Sequence, residues 1–291
     1  MGHSGSARFA YLVVAPIFFL LILFVWYPAA NTLLTSLYFL NFKVSPQARF
    51  VGLANYATIL MNRDFLAALR NTVFFLLILL LVSLPSALGG SLVLNEKFRG
   101  RTAIRAVAIA PWTLPPIVAG FLWRWILNGS YGVLNGLLWQ LGVIHEYQVW
   151  LIQPVTAMIL CGIVQAWRDI PFVMMIFLAS LQSIPPDLYE SATVCGAGAM
   201  QRFRYVTLPL LRPAIAVGLA LETIYGLLGF DIIYALTGFD PSTKILNLLN
   251  YEVAFRLLDF GLASALSYIL LLGGAAVGYF YIRRIYRGYA F

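Results

Sequence analysis

Charged side chains stand inside long apolar runs of this sequence. Arg168 and Asp169 lie about halfway along one run, next to Pro171, and Glu222 lies about nine residues into another. A charge at the centre of a membrane helix costs ~2.5–3.5 kcal/mol on insertion scales, so such residues usually mark function. Pro171 removes a backbone donor, which favours a helix break of the kind found at transporter binding sites.

A second polar feature is a group of residues that are spaced by one and by two helical turns. Glu222, Tyr225, Gly226 and Gly229 recur at i, i+3, i+4 and i+7, so a continuous helix would carry them on one face. A carboxylate, a phenol and two glycines suit lipid poorly. They suit a sugar, whose hydroxyls need hydrogen bonds and whose ring stacks on an aromatic side chain.

The sequence lacks the residue patterns that ATP hydrolysis, zinc binding or a disulfide would require. The chain has no Gly-x-x-x-x-Gly-Lys-Ser/Thr loop, so we do not expect it to hydrolyse ATP. His3 and His145 are far apart, which gives no support for a zinc site. A disulfide between Cys161, in an apolar run, and Cys195, in a polar loop, is not expected. No cofactor or metal is therefore predicted for this chain, and no catalytic residue.

The elements that must position the polar residues are membrane spans. Hydrophobic residues make up 62% of the 291 and charged residues only 10%, against about 25% in a soluble domain. The net charge of +8 sits at the ends of apolar runs, which fits anionic lipid rather than nucleic acid. We predict one transmembrane domain over 1–291, an all-α bundle of six transmembrane helices with an uncleaved first span. The spans are 9–38, 72–94, 106–123, 151–182, 213–236 and 262–282.

The distribution of Lys and Arg predicts the orientation. With both termini inside, the inner segments hold eleven of these residues in 58 positions, and the outer segments hold seven in 81. The cluster in 95–105 and the pair Arg283 and Arg284 contribute most to this difference. The positive-inside rule therefore predicts cytoplasmic N- and C-termini.

The loop 183–212, which we call the elbow, joins the fourth and fifth spans on the cytoplasmic side. Pro185 and Pro186 end the span and favour a first helical turn. We expect a short helix over about 187–195 that ends near Gly196 and Gly198.

A second short helix in the elbow would carry Arg202 and Arg204, and Pro209 and Pro213 would restart the chain before the fifth span. The elbow would then be a compact helical structure on the cytoplasmic face. An ordinary amphipathic surface loop is the alternative.

The elbow resembles a motif of the binding-protein-dependent importer permeases. Their loop reads Glu-Ala-Ala, three residues, Gly, nine residues, Ile, one residue, Leu-Pro. The residues that match or conservatively replace it here are Glu190, Ser191, Ala192, Gly196, Val206, Leu208 and Pro209. Other segments are similar to the sugar-importer branch, with its maltose-type and glycerol-phosphate-type permeases: 50–56, 71–72, 167–172, 181–185 and 234–238.

The resemblance implies a function and a set of partners. The chain would be the permease subunit of an ATP-driven sugar importer in a prokaryotic inner membrane, working by alternating access. It would assemble with a second permease, two ATPase subunits that bind ATP and Mg, and an extracytoplasmic substrate-binding protein. The elbow would be the coupling helix that docks on an ATPase subunit, through Leu188, Glu190, Ser191, Ala192, Gly196, Leu208 and Pro209.

The resemblance also implies which residues contact the solute. In maltose-type relatives, matching positions of the fourth and fifth spans touch sugar. The corresponding residues here are Arg168, Asp169, Phe172, Glu222, Tyr225, Gly226 and Gly229. These positions are more charged than a neutral sugar requires, which admits a charged or amino sugar or a phosphodiester. Alternatively, Arg168 and Asp169 neutralise each other as a buried pair, and Glu222 pairs with the partner permease.

Two rival functions stay open at this stage. An ion-gradient-driven secondary transporter would have broken helices in both halves, and we predict a break in the fourth span with no counterpart in the first half. A membrane-embedded enzyme would need a nucleophile with its base, or a metal constellation, and we find neither.

Overall fold

The computed structural model describes residues 13–286, apart from the side chains of 282 and 284–286. The predicted start of the first span at residue 9 lies outside this range. Within it the chain forms thirteen helices and one two-stranded antiparallel sheet. In chain order these are α1 (Val13–Ser36), β1 (Tyr38–Asn41), β2 (Ser45–Phe50), α2 (Ala54–Met61), α3 (Arg63–Asn95), α4 (Arg101–Ala108), α5 (Ala110–Thr113), α6 (Pro116–Ile126), α7 (Val133–Gln140), α8 (Pro154–Gln182), α9 (Pro186–Val194), α10 (Ala199–Leu228), α11 (Asp231–Thr237), α12 (Leu246–Tyr251, continued by a π-helical turn over Glu252–Arg256) and α13 (Phe260–Tyr286).

The described helices include five that are long and apolar enough to cross a membrane: α1, α3, α8, α10 and α13. A sixth span results if α4–α5 and α6 are counted together, although the two parts are bent by 95°. The predicted helical membrane bundle is therefore confirmed. The small sheet was not predicted, because the segment that forms it was assigned to an outer loop.

The described chain divides into two compact units. The first contains 13–63 and 250–271, with α1, the β1–β2 hairpin, α2 and the start of α13. Here the buried Asn55 donates to the carbonyls of Ser36 and Tyr38, at 2.8 and 2.9 Å, and so joins α2 to the end of α1 and the hairpin. Tyr268 on α13 donates to the Ala29 carbonyl on α1 at 2.7 Å.

The second unit contains 64–249 and 272–286 and holds the candidate site. One of its apolar clusters joins α3, α8 and α11 through residues such as Leu79, Met158 and Ile232. A further cluster joins α3, α8 and α10, for example through Phe177 and Leu211. Burial of such side chains, each contributing about 1.5–3 kcal/mol, holds these helices together.

The predicted break at Pro171 is wrong. Helix α8 runs without interruption from Pro154 to Gln182, with Pro171 buried inside it. A proline removes a single helical hydrogen bond, and packing of neighbours such as Val173 and Phe177 in the core compensates for that loss.

The break lies in the third span instead, between α5 and α6. Pro115 and Pro116 remove two consecutive N–H donors, and a residue that precedes a proline is driven to extended backbone. Leu114 accordingly has φ −73° and ψ 134°, and Pro115 has φ −54° and ψ 137°. The expectation that the first half has no broken span is therefore also wrong.

The fifth span differs from its prediction at both ends. Pro209 and Pro213 do not restart the chain, because α10 is continuous through both, with a π-helical turn over Phe203–Thr207 just before Pro209. The wider turn changes the bonding: the Leu208 N–H bonds to the Phe203 carbonyl. At the other end α10 stops at Leu228, before the predicted limit of the span.

Candidate functional site

The charged pair predicted in the fourth span forms an ion pair inside α8. Arg168 Nη1 lies 2.7 Å from Asp169 Oδ1, and Gln165 Nε2 donates to Asp169 Oδ2 at 2.6 Å. The Asp169 side chain is 2% exposed and that of Arg168 is 17% exposed. Both carboxylate oxygens thus have a donor, as the buried-pair alternative requires.

Two residues of α8 contact the broken third span. The Arg168 Nε donates to the Leu114 carbonyl at 3.1 Å, within the break. The ring of Phe172 stacks on Trp112 of α5, with centroids 4.9 Å apart and an interplanar angle of 8°. Phe172 therefore already has an aromatic partner on one face in this conformation.

Glu222 is fully buried and pairs within its own chain. Its Oε1 accepts a hydrogen bond from Ser83 Oγ of α3 at 2.5 Å. Its Oε2 has no hydrogen-bond partner among the described residues. Pairing of Glu222 with a partner permease stays a prediction, and within the chain its hydrogen-bond partner is Ser83.

The predicted polar face of the fifth span does not stay together. Gly226 faces α3, since a Cβ there would lie 2.5 Å from Leu76 Cδ2. Tyr225 is exposed, whereas Glu222 and Gly226 are buried. Gly229 lies beyond the end of α10 in extended backbone, with φ −78° and ψ 136°. The i+7 spacing therefore did not place Gly229 on the face, because the helix ends one residue earlier.

The elbow contains the first predicted helix almost as expected, as α9 from Pro186 to Val194. Gly196 follows with φ +81°, its N–H bonded to the Thr193 carbonyl and that of Ala197 to the Ala192 carbonyl, each at 2.9 Å. This pair of bonds is a Schellman cap, which requires a left-handed residue after the helix. The second predicted elbow helix, around Arg202, is the beginning of α10.

A contact between α9 and α10 stabilises the elbow, and several of its predicted coupling residues are exposed. Tyr189 Oη and Thr207 Oγ1 lie 3.0 Å apart and connect α9 to α10. Of the predicted coupling residues, Leu188, Glu190, Ser191 and Gly196 are exposed, and Ala192, Leu208 and Pro209 are half-buried. The structure thus exposes four of the seven, three of them on α9.

Sequence reasoning missed Asn135, which organises the segment between α6 and α8. Asn135 is buried, and its Nδ2 donates to the Gln148 carbonyl at 2.9 Å. Its Oδ1 accepts from the Trp150 Nε1 at 2.9 Å and from the Gln148 N–H at 3.2 Å. A single asparagine in a short apolar stretch gives no local signal of this role.

The described part of the chain contains no set of metal ligands. Residues 13–286 contain no group of three His, Cys, Asp or Glu side chains placed to hold an ion. Cys161 is buried, Cys195 is exposed, and both are free thiols.

A family model and individual relatives both match this chain over most of its length. A family model described as "binding-protein-dependent transport system inner membrane component" matches residues 85–287. The trehalose/maltose transport system permease protein MalF of Thermococcus litoralis is 37% identical over 90% of this chain and 88% of its own length. The sulfoquinovosyl glycerol transport system permease protein SmoG of Agrobacterium fabrum is 35% identical over 97% and 91%.

The fold has a solved counterpart. A crystal structure of a bacterial ABC transporter involved in the import of the acidic polysaccharide alginate contains a chain that superposes with a TM-score of 0.85. The two chains are 22% identical, and the match covers 99% of this chain and 98% of the other. This likeness shows that the two chains share a fold.

Proposed function

The chain belongs to the family of binding-protein-dependent transport system inner membrane components, and from this membership we propose that it is the permease subunit of an ATP-driven importer of a sugar or sugar-like solute. The observation that carries the choice of solute is the similarity, over nearly the whole chain, to two relatives that are both named as permeases for sugar compounds. A secondary transporter has no comparable support.

We propose that the elbow receives the ATPase subunit. Its helix α9 presents Leu188, which is 43% exposed, beside exposed polar residues such as Glu190 and Ser191. A small apolar anchor with a polar surround is what a protein partner recognises. ATP and Mg would bind to that partner, and this chain would contribute no catalytic residue. A second permease and an extracytoplasmic binding protein would complete the importer.

The solute path would pass the polar residues at mid-membrane. Glu222 offers a hydrogen-bonding group, and Tyr225 and Phe172 offer rings. Because Glu222 is fully buried here, it could meet a solute only after α3 and α10 separate, as alternating access requires. The free Glu222 Oε2 supports this role, since it has an unfilled site for a hydroxyl donor.

Affinity purification tests the proposed assembly. The tagged chain, extracted in mild detergent from its native membrane, should bring down an ATPase subunit and a second permease. The external binding protein should then be tested for binding to neutral disaccharides and to acidic sugar derivatives. Recovery of the chain as a homo-oligomer that lacks any ATPase would oppose the proposal.

The proposed orientation makes a labelling prediction. Cys195, exposed in the elbow, should be cytoplasmic, and a cysteine at Ser242, between α11 and α12, should be external. In spheroplasts an impermeant maleimide should label Ser242→Cys at once, and Cys195 only after permeabilisation. Cys195→Ser identifies which thiol reacts. Labelling of Cys195 but not of the Ser242 site in sealed spheroplasts would reverse the orientation.

A further inference from the structure

The break in the third span leaves a backbone carbonyl that its own helix does not satisfy. In an unbroken helix the Leu114 carbonyl would accept from the Val118 N–H, four residues on. Here the Val118 N–H bonds to the Pro115 carbonyl at 3.0 Å. An unsatisfied carbonyl at membrane depth is costly, so the break needs a donor from elsewhere.

Arg168 provides that donor, and two further residues fix its orientation. Its Nε bonds to the Leu114 carbonyl at 3.1 Å while its Nη1 binds Asp169 Oδ1 at 2.7 Å. Gln165 holds the second oxygen of Asp169 at 2.6 Å. The planar guanidinium can serve both acceptors at once because its donors form a rigid fork, which a lysine cannot reproduce.

A second contact on the same side of the break strengthens this arrangement. Trp112, two residues before Leu114, stacks on Phe172, which lies one turn after Arg168 on α8. Arg168 and Phe172 are thus spaced at i and i+4, on one face of a continuous helix. The break is held to α8 at two points.

We infer that Arg168 is a positioning residue, which fixes the break of the third span to α8, rather than a residue that contacts the solute. This inference rests on the proposed import function. Helix α8 ends at Gln182 and leads through 183–185 into α9 of the elbow. A displacement of the elbow that is passed to α8 therefore moves the break with it, through the Arg168 contact.

Hydrogen exchange of the assembled importer in nanodiscs, without solute, tests the contact directly. The variant Arg168→Gln with Asp169→Asn removes both charges together, so that no buried carboxylate loses its partner. Amides in 109–119 should exchange roughly tenfold faster, as expected for loss of one charge-assisted hydrogen bond. Arg168→Lys should give an intermediate rate, because it keeps the charge and loses the fork.

Arg124 offers a matched control. It also donates to a backbone carbonyl of another segment, that of Ala235 in α11, at 3.3 Å. Arg124→Gln should raise exchange in 231–237 and leave 109–119 unchanged. If the double variant and Arg168→Lys both exchange like the wild type in 109–119, the inference is wrong.

Import measurements on the same complexes distinguish a positioning role of Arg168 from direct contact with the solute. Positioning predicts that the double variant imports about tenfold less solute per ATP hydrolysed, with an unchanged half-saturating solute concentration. A raised half-saturating concentration at a normal maximal rate would instead make Arg168 a solute ligand. If the wild-type complex imports nothing, the proposed function fails, but the exchange data still decide whether Arg168 holds the break.

Discussion

Gly196→Asp is expected to lower sugar import at least tenfold while the membrane bundle stays folded. Gly196 has φ +81°, a conformation that costs a residue with a Cβ roughly 1–2 kcal/mol. The Schellman bonds of Gly196 and Ala197 to α9 depend on that conformation. The new carboxylate would also add negative charge next to exposed Glu190, on the surface proposed to meet the ATPase.

Two further substitutions separate backbone from charge. Gly196→Asn tolerates left-handed backbone and adds no charge, so it should retain most of the import activity. Gly198→Ala lies in the same loop at φ −68° with room for a Cβ, and should behave like the wild type. The measurements are ATPase co-purification and ATP hydrolysed per sugar imported in vesicles. An intact complex that imports normally with Gly196→Asp would mean that the elbow is not the coupling element.

The Glu222→Gln variant is expected to fold normally and to lower sugar import at least about tenfold. The amide oxygen can still accept from Ser83, so the α3–α10 contact survives, while the second acceptor oxygen is replaced by an NH2 donor. A solute hydroxyl left without its acceptor costs about 1–3 kcal/mol, which sets the size of the effect. Tyr225→Ala, on the exposed side of α10, should lower import in the same way.

Glu222→Ala and Ser83→Ala serve as controls for stability. Glu222→Ala leaves a cavity and an unpaired buried hydroxyl, with an expected loss of about 2–4 kcal/mol. Ser83→Ala removes the hydroxyl alone and should be milder. The midpoint of thermal unfolding, basal ATPase activity and uptake should be measured on each assembled complex. Normal uptake by both Glu222→Gln and Tyr225→Ala would show that the assignment of these residues to the solute path is wrong.

The parts of the fold that sequence predicted well depend on local signals. The long apolar runs of α3, α8 and α13 and the helix α9 behind Pro185 and Pro186 follow from hydropathy and proline chemistry alone. The left-handed Gly196 also follows from its place just after a helix. None of these features requires knowledge of a distant contact.

Helix breaks were predicted poorly because a proline alone does not decide between a break and a continuous helix. Pro171 and Pro213 are accommodated by packing around α8 and α10. Two adjacent prolines, at 115 and 116, remove two donors, and they do break a helix. Counting consecutive missing donors would have located the break, whereas the apolar run 106–123 concealed it.

The contacts of the candidate site were beyond sequence reasoning, because their partners are distant in the chain. Glu222 meets Ser83, which stands 139 residues earlier in an apolar run, and Arg168 meets Leu114, 54 residues earlier. The exposure of Tyr225, together with the end of α10 before Gly229, also depends on tertiary packing. The residue types were therefore identifiable, but their grouping was not.

The most direct test of the central proposal is uptake of labelled sugar by vesicles that contain this chain, its co-purifying permease and ATPase subunits, and the external binding protein. Uptake should require enclosed ATP and the binding protein, and should persist when ionophores collapse all ion gradients. Uptake by this chain without an ATPase, driven by an ion gradient and abolished by ionophores, would contradict the proposal.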